Sequence, residues 1–365
     1  MQYSGEQVMA PSGYMYSANL PTPEDIECMI SNNVPRLLFI GLKRSGKTSI
    51  LNTVCHQKSP QGTFHLDGST RVERFELLSI CNITFVDIPG SLDLERLSDE
   101  DAELIFGGTV AIVFVIDAMT SDRLKSNSVM KLCSIAKKAS AVNPNINCEV
   151  LIHKLDSQTI QFKTQIQRMF ERHVQDESYE TKLDVIFTYH VTSIFNCSIH
   201  VALSKILQKL VPQSSTFEAL LSNFVERSDS IQAYLVDLSS RLFFAKDSGA
   251  LDPDVYELVI HYVDLMEDIV KQQDLSFRGE ESATSGGGLV ELDDGLVMVY
   301  SAINPFVGVV NVFRSSMLDR LSIIEYNIKA LRATLQETLD YQEQQQEQLR
   351  QRFQQRRQLA LRSLE

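Results

Sequence analysis

The chain has 365 residues, long for one ordinary domain and comfortable for two, and its hydrophobic content of 44% is enough to fill a core in each. Its net charge of −13 speaks against a nucleic-acid binder. Neutralising phosphates needs a basic face, and outside the last twenty residues no Lys/Arg cluster offers one.

Residues Met1 to Val34 carry Gly, Pro, Ser and Tyr without periodicity and read as a flexible arm. Order begins at Pro35. The apolar run Leu37 to Ile40 leads into GLKRSGKT, Gly41 to Thr48, and then into a helix over Gly46 to Cys55. In a strand–loop–helix of this kind, successive backbone N–H groups wrap the phosphates of a nucleotide. Gly41 and Gly46 let the backbone turn where a side chain would collide. Arg44, Ser45, Gly46, Lys47, Thr48 and Ser49 are therefore the expected phosphate contacts. Lys47 would reach the β- and γ-phosphates, and the Thr48 hydroxyl would go to Mg²⁺.

A polar, turn-rich stretch, Gln57 to Thr70, precedes two short runs, Val72 to Leu78 and Asn82 to Asp87, that resemble a hairpin. Ser69 or Thr70, with Thr70 preferred, is the expected mobile Mg²⁺ ligand that senses the γ-phosphate. The sequence DIPG, Asp87 to Gly90, closes the third strand. Its Asp87 would hold Mg²⁺ through a water, and the Gly90 N–H would point at a γ-phosphate. Hydrolysis is thus expected to rest on Lys47, Thr70 and Gly90, and the metal on Thr48, Thr70 and Asp87. The acidic run Asp93, Glu95, Asp99, Glu100, Asp101 and Glu103 reads as a solvated helix start, not as paired catalytic carboxylates, and Asp117 as a helix cap.

Further strands are expected at Val110 to Ile116, Cys148 to Ile152 and Val185 to Val191, with helices over Asn127 to Ala139 and Thr164 to Arg172. That alternation predicts a mostly parallel sheet covered on both faces, with ligands at the carboxyl ends of its strands. His153, Lys154, Leu155 and Asp156 follow one such end. An Asp there can accept two hydrogen bonds from the N1–H and N2 edge of guanine, which adenine cannot supply. Lys154 would lie along the loop or the sugar. Backbone N–H groups of Thr192, Ser193 and Ile194, after the last strand, could meet the guanine oxygen.

Taken together over Pro35 to Val211, these motifs resemble small GTPases of the Ras-like kind. FIGLKRSGKTSI, the FGGT at Phe106 to Thr109, NPNINCEVLIHKLD and VTSIFNCSIHVALSKILQKLVP resemble one subfamily, the Rag GTPases of the RagC and RagD type. Two departures from the common Ras-like pattern stand out. The base-reading box begins with His153 where Asn is usual, which implies fewer hydrogen bonds and weaker guanine affinity. Ser91 stands where those enzymes carry a water-orienting Gln, and Lys43 would crowd a residue inserted by an activating protein. Very slow hydrolysis without a dedicated activator is expected, and a structural GTP-binding subunit without hydrolysis is the rival. An ATP-using P-loop enzyme is disfavoured by Asp156.

Past Pro212 the pattern changes. A helix over Thr216 to Arg227, capped by Ser215 or Thr216, precedes a hairpin of Ile231 to Leu238 and Arg241 to Lys246, and then a helix over Pro253 to Gln272. A Ser/Gly loop, Ser276 to Gly288, leads to strands at Leu289 to Leu292, Leu296 to Ile303 and Phe306 to Phe313, and to a long helix from about Ser315. The order resembles the roadblock-type domain of Rag proteins, which implies dimerisation. The expected division is an arm at 1–34, a Ras-like GTPase domain at 35–212, a roadblock-like α+β domain at 213–340 and a polar helical tail at 341–365. The resemblance further implies GTP/GDP and Mg²⁺ as cofactors and a heterodimer with a RagA/RagB-type subunit. Its other implied partners are a lysosomal or vacuolar scaffold complex, the TOR kinase complex and a GTPase-activating protein.

Six cysteines, Cys28, Cys55, Cys81, Cys133, Cys148 and Cys197, stand far apart with no CxxC pair and read as reduced cytosolic thiols. No apolar run reaches membrane-spanning length, Gln2 occupies the place a myristoylated glycine would need, and Arg362 to Glu365 is no prenylation box. Attachment to a membrane is therefore expected through partners.

Overall fold

A computed structural model of the chain describes residues 20–30, 34–77, 80, 82–211, 213–276 and 287–362. It divides into two compact units between Ile206 and Leu207. In the first, α1 (Pro23–Met29) precedes β1 (Arg36–Ile40), α2 (Lys47–His56), a 3₁₀ turn at Pro60–Thr63, β2 (Glu73–Leu77), β3 (Ile83–Asp87) and α3 (Asp99–Phe106). Then come β4 (Thr109–Asp117), α4 (Asp122–Val142), β5 (Asn147–His153), α5 (Ile160–Thr181), β6 (Phe187–Thr192) and α6 (Ser198–Leu210).

The sheet order is β2-β3-β1-β4-β5-β6. β3, β1, β4, β5 and β6 run parallel, and β2 pairs antiparallel with β3, so the expected hairpin forms; its Leu78 end lies outside the described residues. Every residue of β1 and β3 is buried, as continuous apolar runs flanked by helices demand. Leu38 of β1 and Phe114 of β4 sit fully buried in one core with Ile105, Phe106, Leu132 and Phe170 from the surrounding helices.

Several elements differ from the sequence reading. The arm contains an ordered helix: Thr22 caps α1 in a capping box with Asp25, and Met29 is fully buried. Arg36, 3% exposed, donates to the Met29 carbonyl at 2.7 Å, while Arg74 of β2 donates to the carbonyls of Glu27, Cys28 and Ile30. The aperiodic N-terminal segment is thus held by arginines from two strands. The acidic run does open a helix, with Ser98 as the cap of α3 and Asp99, Glu100 and Asp101 in its first turn. Asp117 is not a helix cap: Ser121 stands at the start of α4, and Asp117 accepts the Met119 N–H at 2.9 Å and pairs with Lys154.

The second unit builds a sheet in the order β8-β7-β11-β10-β9 from α7 (Ser214–Ser228), β7 (Gln232–Asp237), β8 (Phe243–Lys246), α8 (Pro253–Ser276), β9 (Gly287–Glu291), β10 (Leu296–Ala302), β11 (Val307–Arg314) and α9 (Leu321–Arg362). All its neighbouring strands are antiparallel. Helix, two strands, helix, three strands, helix is the expected order of the roadblock-like α+β unit. Gln213, not Ser215 or Thr216, precedes α7, and a 3₁₀ segment at Ser315–Arg320 comes before the last helix. Most of the expected Ser/Gly loop lies outside the described residues, and so does Pro212. None of Cys28, Cys55, Cys133, Cys148 and Cys197 is in a disulfide; Cys81 lies outside the described residues. No helix among the described residues is long and apolar enough to cross a membrane.

Candidate functional site

β1 delivers the chain to the phosphate-type loop where the sheet order turns back on itself, with β3 to one side and β4 to the other. Gly41 packs on the Val115 carbonyl oxygen so closely that no Cβ fits. Gly46, at φ 109°, ends the loop as the residue before α2, and a Cβ on it would lie 2.7 Å from His153 Cδ2. Lys47 is 4% exposed; its Nζ donates to the carbonyls of Gly41 at 3.0 Å and Leu42 at 3.2 Å. Burial pushes its ammonium down to about 8, with Asp87 opposing the shift. A desolvated cation ringed by loop backbone is stabilised by an incoming anion, which is what a phosphate cradle needs.

Thr48 donates to Asp87 Oδ2 at 2.5 Å, and its hydroxyl is 3.5 Å from Ser69 Oγ. Asp87 is fully buried, and burial raises its pKa against the opposing Thr48 hydrogen bond and Lys47 charge. Its Oδ1 has no hydrogen-bond partner among the described residues. A buried carboxylate oxygen left over beside threonine and serine hydroxyls is an all-oxygen donor set, and such a set fits a hard cation like Mg²⁺. Ser69 is half-buried and Thr70 exposed, and both face the same cavity. Gly90 lies against the loop: a Cβ there would run into the Lys43 nitrogen and come within 2.6 Å of the Leu42 carbonyl carbon.

At the other end, His153 is 1% exposed, with Nδ1 3.0 Å from Thr192 Oγ1. Burial, then the Lys154 charge, push it down to about 4, so the ring is neutral at physiological pH. His153 therefore packs between Gly46 and Thr192 and braces the phosphate loop against the base-end loop. Lys154, at φ 68°, bonds the Arg44 carbonyl and Asp117 Oδ2, each at 2.7 Å. It lies along the loop, as expected. Asp156 is exposed, its only neighbour among the described hydrogen bonds being the Ser157 hydroxyl at 3.3 Å. The Ser193 N–H is already held by Ser198 Oγ at 2.9 Å, and Thr192 belongs to β6, so Ile194 is left at the loop's cavity edge.

A cavity of about 940 Å³ is lined by 43–49, 63–70, Gly90, Ser91, His153, Lys154, Asp156 and 193–195. Arg44, Ser45, Gly46, Lys47, Thr48, Ser49, Thr70, Gly90, His153, Asp156, Ser193 and Ile194 all border it, while Asp87 sits behind Thr48. Sequence reasoning missed the contact of Ser69 with Thr48, the Thr192 partner of His153, and two aromatic residues at the cavity wall, Phe64 and Phe195. Their only signal was large apolar side chains in otherwise polar loops.

A glycine-bounded anion cradle at the sheet's switch point, an oxygen-donor pair behind it and a carboxylate at the far end define a P-loop GTPase domain of Ras-like topology. A family model described as the Gtr1/RagA G protein conserved region matches residues 36–263. The chain belongs to this Rag/Gtr family of G proteins. Ras-related GTP-binding protein C of Homo sapiens is 32% identical over 311 residues, covering 84% of this chain and 77% of that protein. GTP-binding protein gtr2 of Schizosaccharomyces pombe is 31% identical over 312 residues, 82% of this chain and 96% of that protein. GTP-binding protein GTR1 of Saccharomyces cerevisiae is 24% identical over 224 residues, 60% of this chain and 71% of that protein.

Proposed function

We propose that this chain is a RagC/RagD-type GTPase subunit: a guanine-nucleotide switch with slow, activator-dependent hydrolysis of GTP to GDP and phosphate. One observation carries the reading. Lys47 and Asp156, far apart in sequence, border a single cavity, with Thr48 and Asp87 at its phosphate end. In this reading the loop N–H groups and Lys47 hold the β- and γ-phosphates. Asp156 accepts from the guanine edge, and His153 and Lys154 keep the two loops in register. Mg²⁺, when bound, would supply positive charge against the phosphate oxygens. Thr48, Asp87 and one of Ser69 and Thr70 would hold it. The Gly90 N–H, in a turn packed on the loop, is suited to a γ-phosphate oxygen.

Relatives of both the RagC/gtr2 and GTR1 type support a heterodimer with a RagA/RagB-type subunit through the roadblock-like unit. Family membership supports action on a scaffold complex at the lysosomal or vacuolar membrane, signalling amino-acid sufficiency to the TOR kinase complex and switched by a GTPase-activating protein. A second reading, a GTP-binding subunit that does not hydrolyse, is favoured by Ser91 and Lys43, both at the cavity wall. Competition binding of GDP, GTP and ATP followed by single-turnover hydrolysis, with and without activator, tests both. Guanine-selective binding with activator-stimulated phosphate release is expected. Binding without release under any condition leaves the second reading, and indifference to guanine nucleotides overturns both.

A further inference from the structure

Two large apolar side chains stand in solvent at the rim of the cavity. Phe64 is 64% exposed and Phe195 45% exposed, yet their ring centroids are 5.8 Å apart at an interplanar angle of 39°. Each comes from a different working part of the site. Phe64 follows the 3₁₀ turn in the segment that leads to Ser69 and Thr70. Phe195 follows Ser193 and Ile194 on the base-end loop, and both rings line the same cavity as Asp156. The base-end loop is stiffened from within, since Ser193 Oγ accepts the Phe195 N–H at 3.1 Å and Ser198 Oγ accepts the Ser193 N–H. The segment around Phe64 is held more loosely: Phe64 and Leu66 donate only to carbonyls three residues back in their own turn, at 3.3 Å each, and among 64–70 only Ser69 is not exposed. A tilted aromatic pair is a favourable contact in its own right, and here it joins a held loop to a loosely held one.

We propose that Phe64 and Phe195 form an aromatic latch that closes the switch segment over the cavity and sets how long a nucleotide stays bound. This rests on the guanine-nucleotide reading above. Opening the latch must precede escape of the ligand, so its loss speeds dissociation much more than it changes association. Phe64 shares a segment with Ser69, the hydroxyl beside Thr48, so closure at the rim and ordering at the phosphate end are mechanically joined.

The test is release of a fluorescent GDP analogue from the full-length chain, chased with unlabelled GDP. Phe64→Ala and Phe195→Ala should each raise the dissociation rate about three- to tenfold, the scale of one aromatic pair. The double variant should be no faster than the faster single one, and Phe195→Tyr should restore the slow rate. The chain contains no tryptophan. Phe195→Trp therefore provides a lone emission signal, which should change when GDP is added and change less when Phe64→Ala is added to it. Unchanged dissociation in both alanine variants overturns the latch, as does strict additivity in the double variant or a tryptophan signal indifferent to position 64. If Phe195→Ala does not fold, Phe195→Leu, which keeps apolar bulk without the ring, should still release faster than wild type, and wild-type kinetics there count against the latch. Failure of the wild-type chain to retain the analogue at all refutes the guanine-nucleotide reading instead.

Discussion

Asp156 is an exposed carboxylate whose described contact is with its own neighbour, Ser157, and in the proposed reading its two oxygens accept the donor pair of a guanine edge. Asp156→Asn swaps an acceptor for a donor. It is expected to reduce the preference for GDP over xanthosine diphosphate by a factor on the order of 10⁴, measured by competition binding. His153 makes a second residue-level prediction. Its folded pKa is pushed down to about 4 from an ordinary 6.5, so between those values the unfolded chain binds the extra proton. Stability should therefore be unaffected by this group above pH 6.5, fall as the pH is lowered towards 4, and flatten below it. The total effect is roughly 3 kcal/mol. Thermal melts across that range should show the fall, and His153→Asn, which cannot titrate, should remove this component. Gly46→Ala should be harmful at neutral pH, where His153 is already uncharged. Its φ of 109° and the His153 ring 2.7 Å from any Cβ cost on the order of 1–3 kcal/mol and push the two loops apart, which nucleotide titration would report as lost affinity.

At the scale of elements, α1 is held by carbonyl contacts that arginines make from the sheet as well as by the burial of Met29. Arg74→Ala removes the bonds to Glu27, Cys28 and Ile30 while leaving Met29 buried and Arg36 in place. Faster amide exchange confined to α1, at a stability cost of about 1–2 kcal/mol, is the expected result, and unaltered exchange there would show that the clamp is idle. This helix also marks where sequence reading stopped. The phosphate loop, the DIPG turn and the HKLD box were legible because each is a local pattern whose meaning depends on the strand just before it. α1 was missed: its seven residues are too short to show an apolar period, its one local sign is the capping box of Thr22 and Asp25 with Pro23 between them, and the arginines that hold it come from β1 and β2. Asp117 was misread for the same reason, since its partner Lys154 lies on another strand end. The His153–Thr192 bond and the Phe64–Phe195 contact likewise join segments that only the folded sheet brings together.

At the scale of the whole chain, the division between the two units falls inside α6, between Ile206 and Leu207. Leu207 and Val211 are 0% and 3% exposed, so a cut placed at the division would strip buried side chains from the end of that helix. A fragment of residues 20–211 should fold and retain GDP. One ending at Ile206 lacks the last turn of α6 and the hydrogen bonds that close it, and should be less stable by about 1 kcal/mol, as urea melts of the two would show. Neither fragment should associate with a RagA/RagB-type subunit as the full chain is proposed to do, and size-exclusion chromatography of the mixtures checks this. Arg36 and Arg74 belong to the strands on either side of β3, so the clamp they form fixes α1 to the sheet itself. Leu20 is exposed, and three residues of chain reach only about 10 Å. A dye or affinity handle grafted there would consequently ride on a short tether close to α1, reporting on that margin of the sheet and little else.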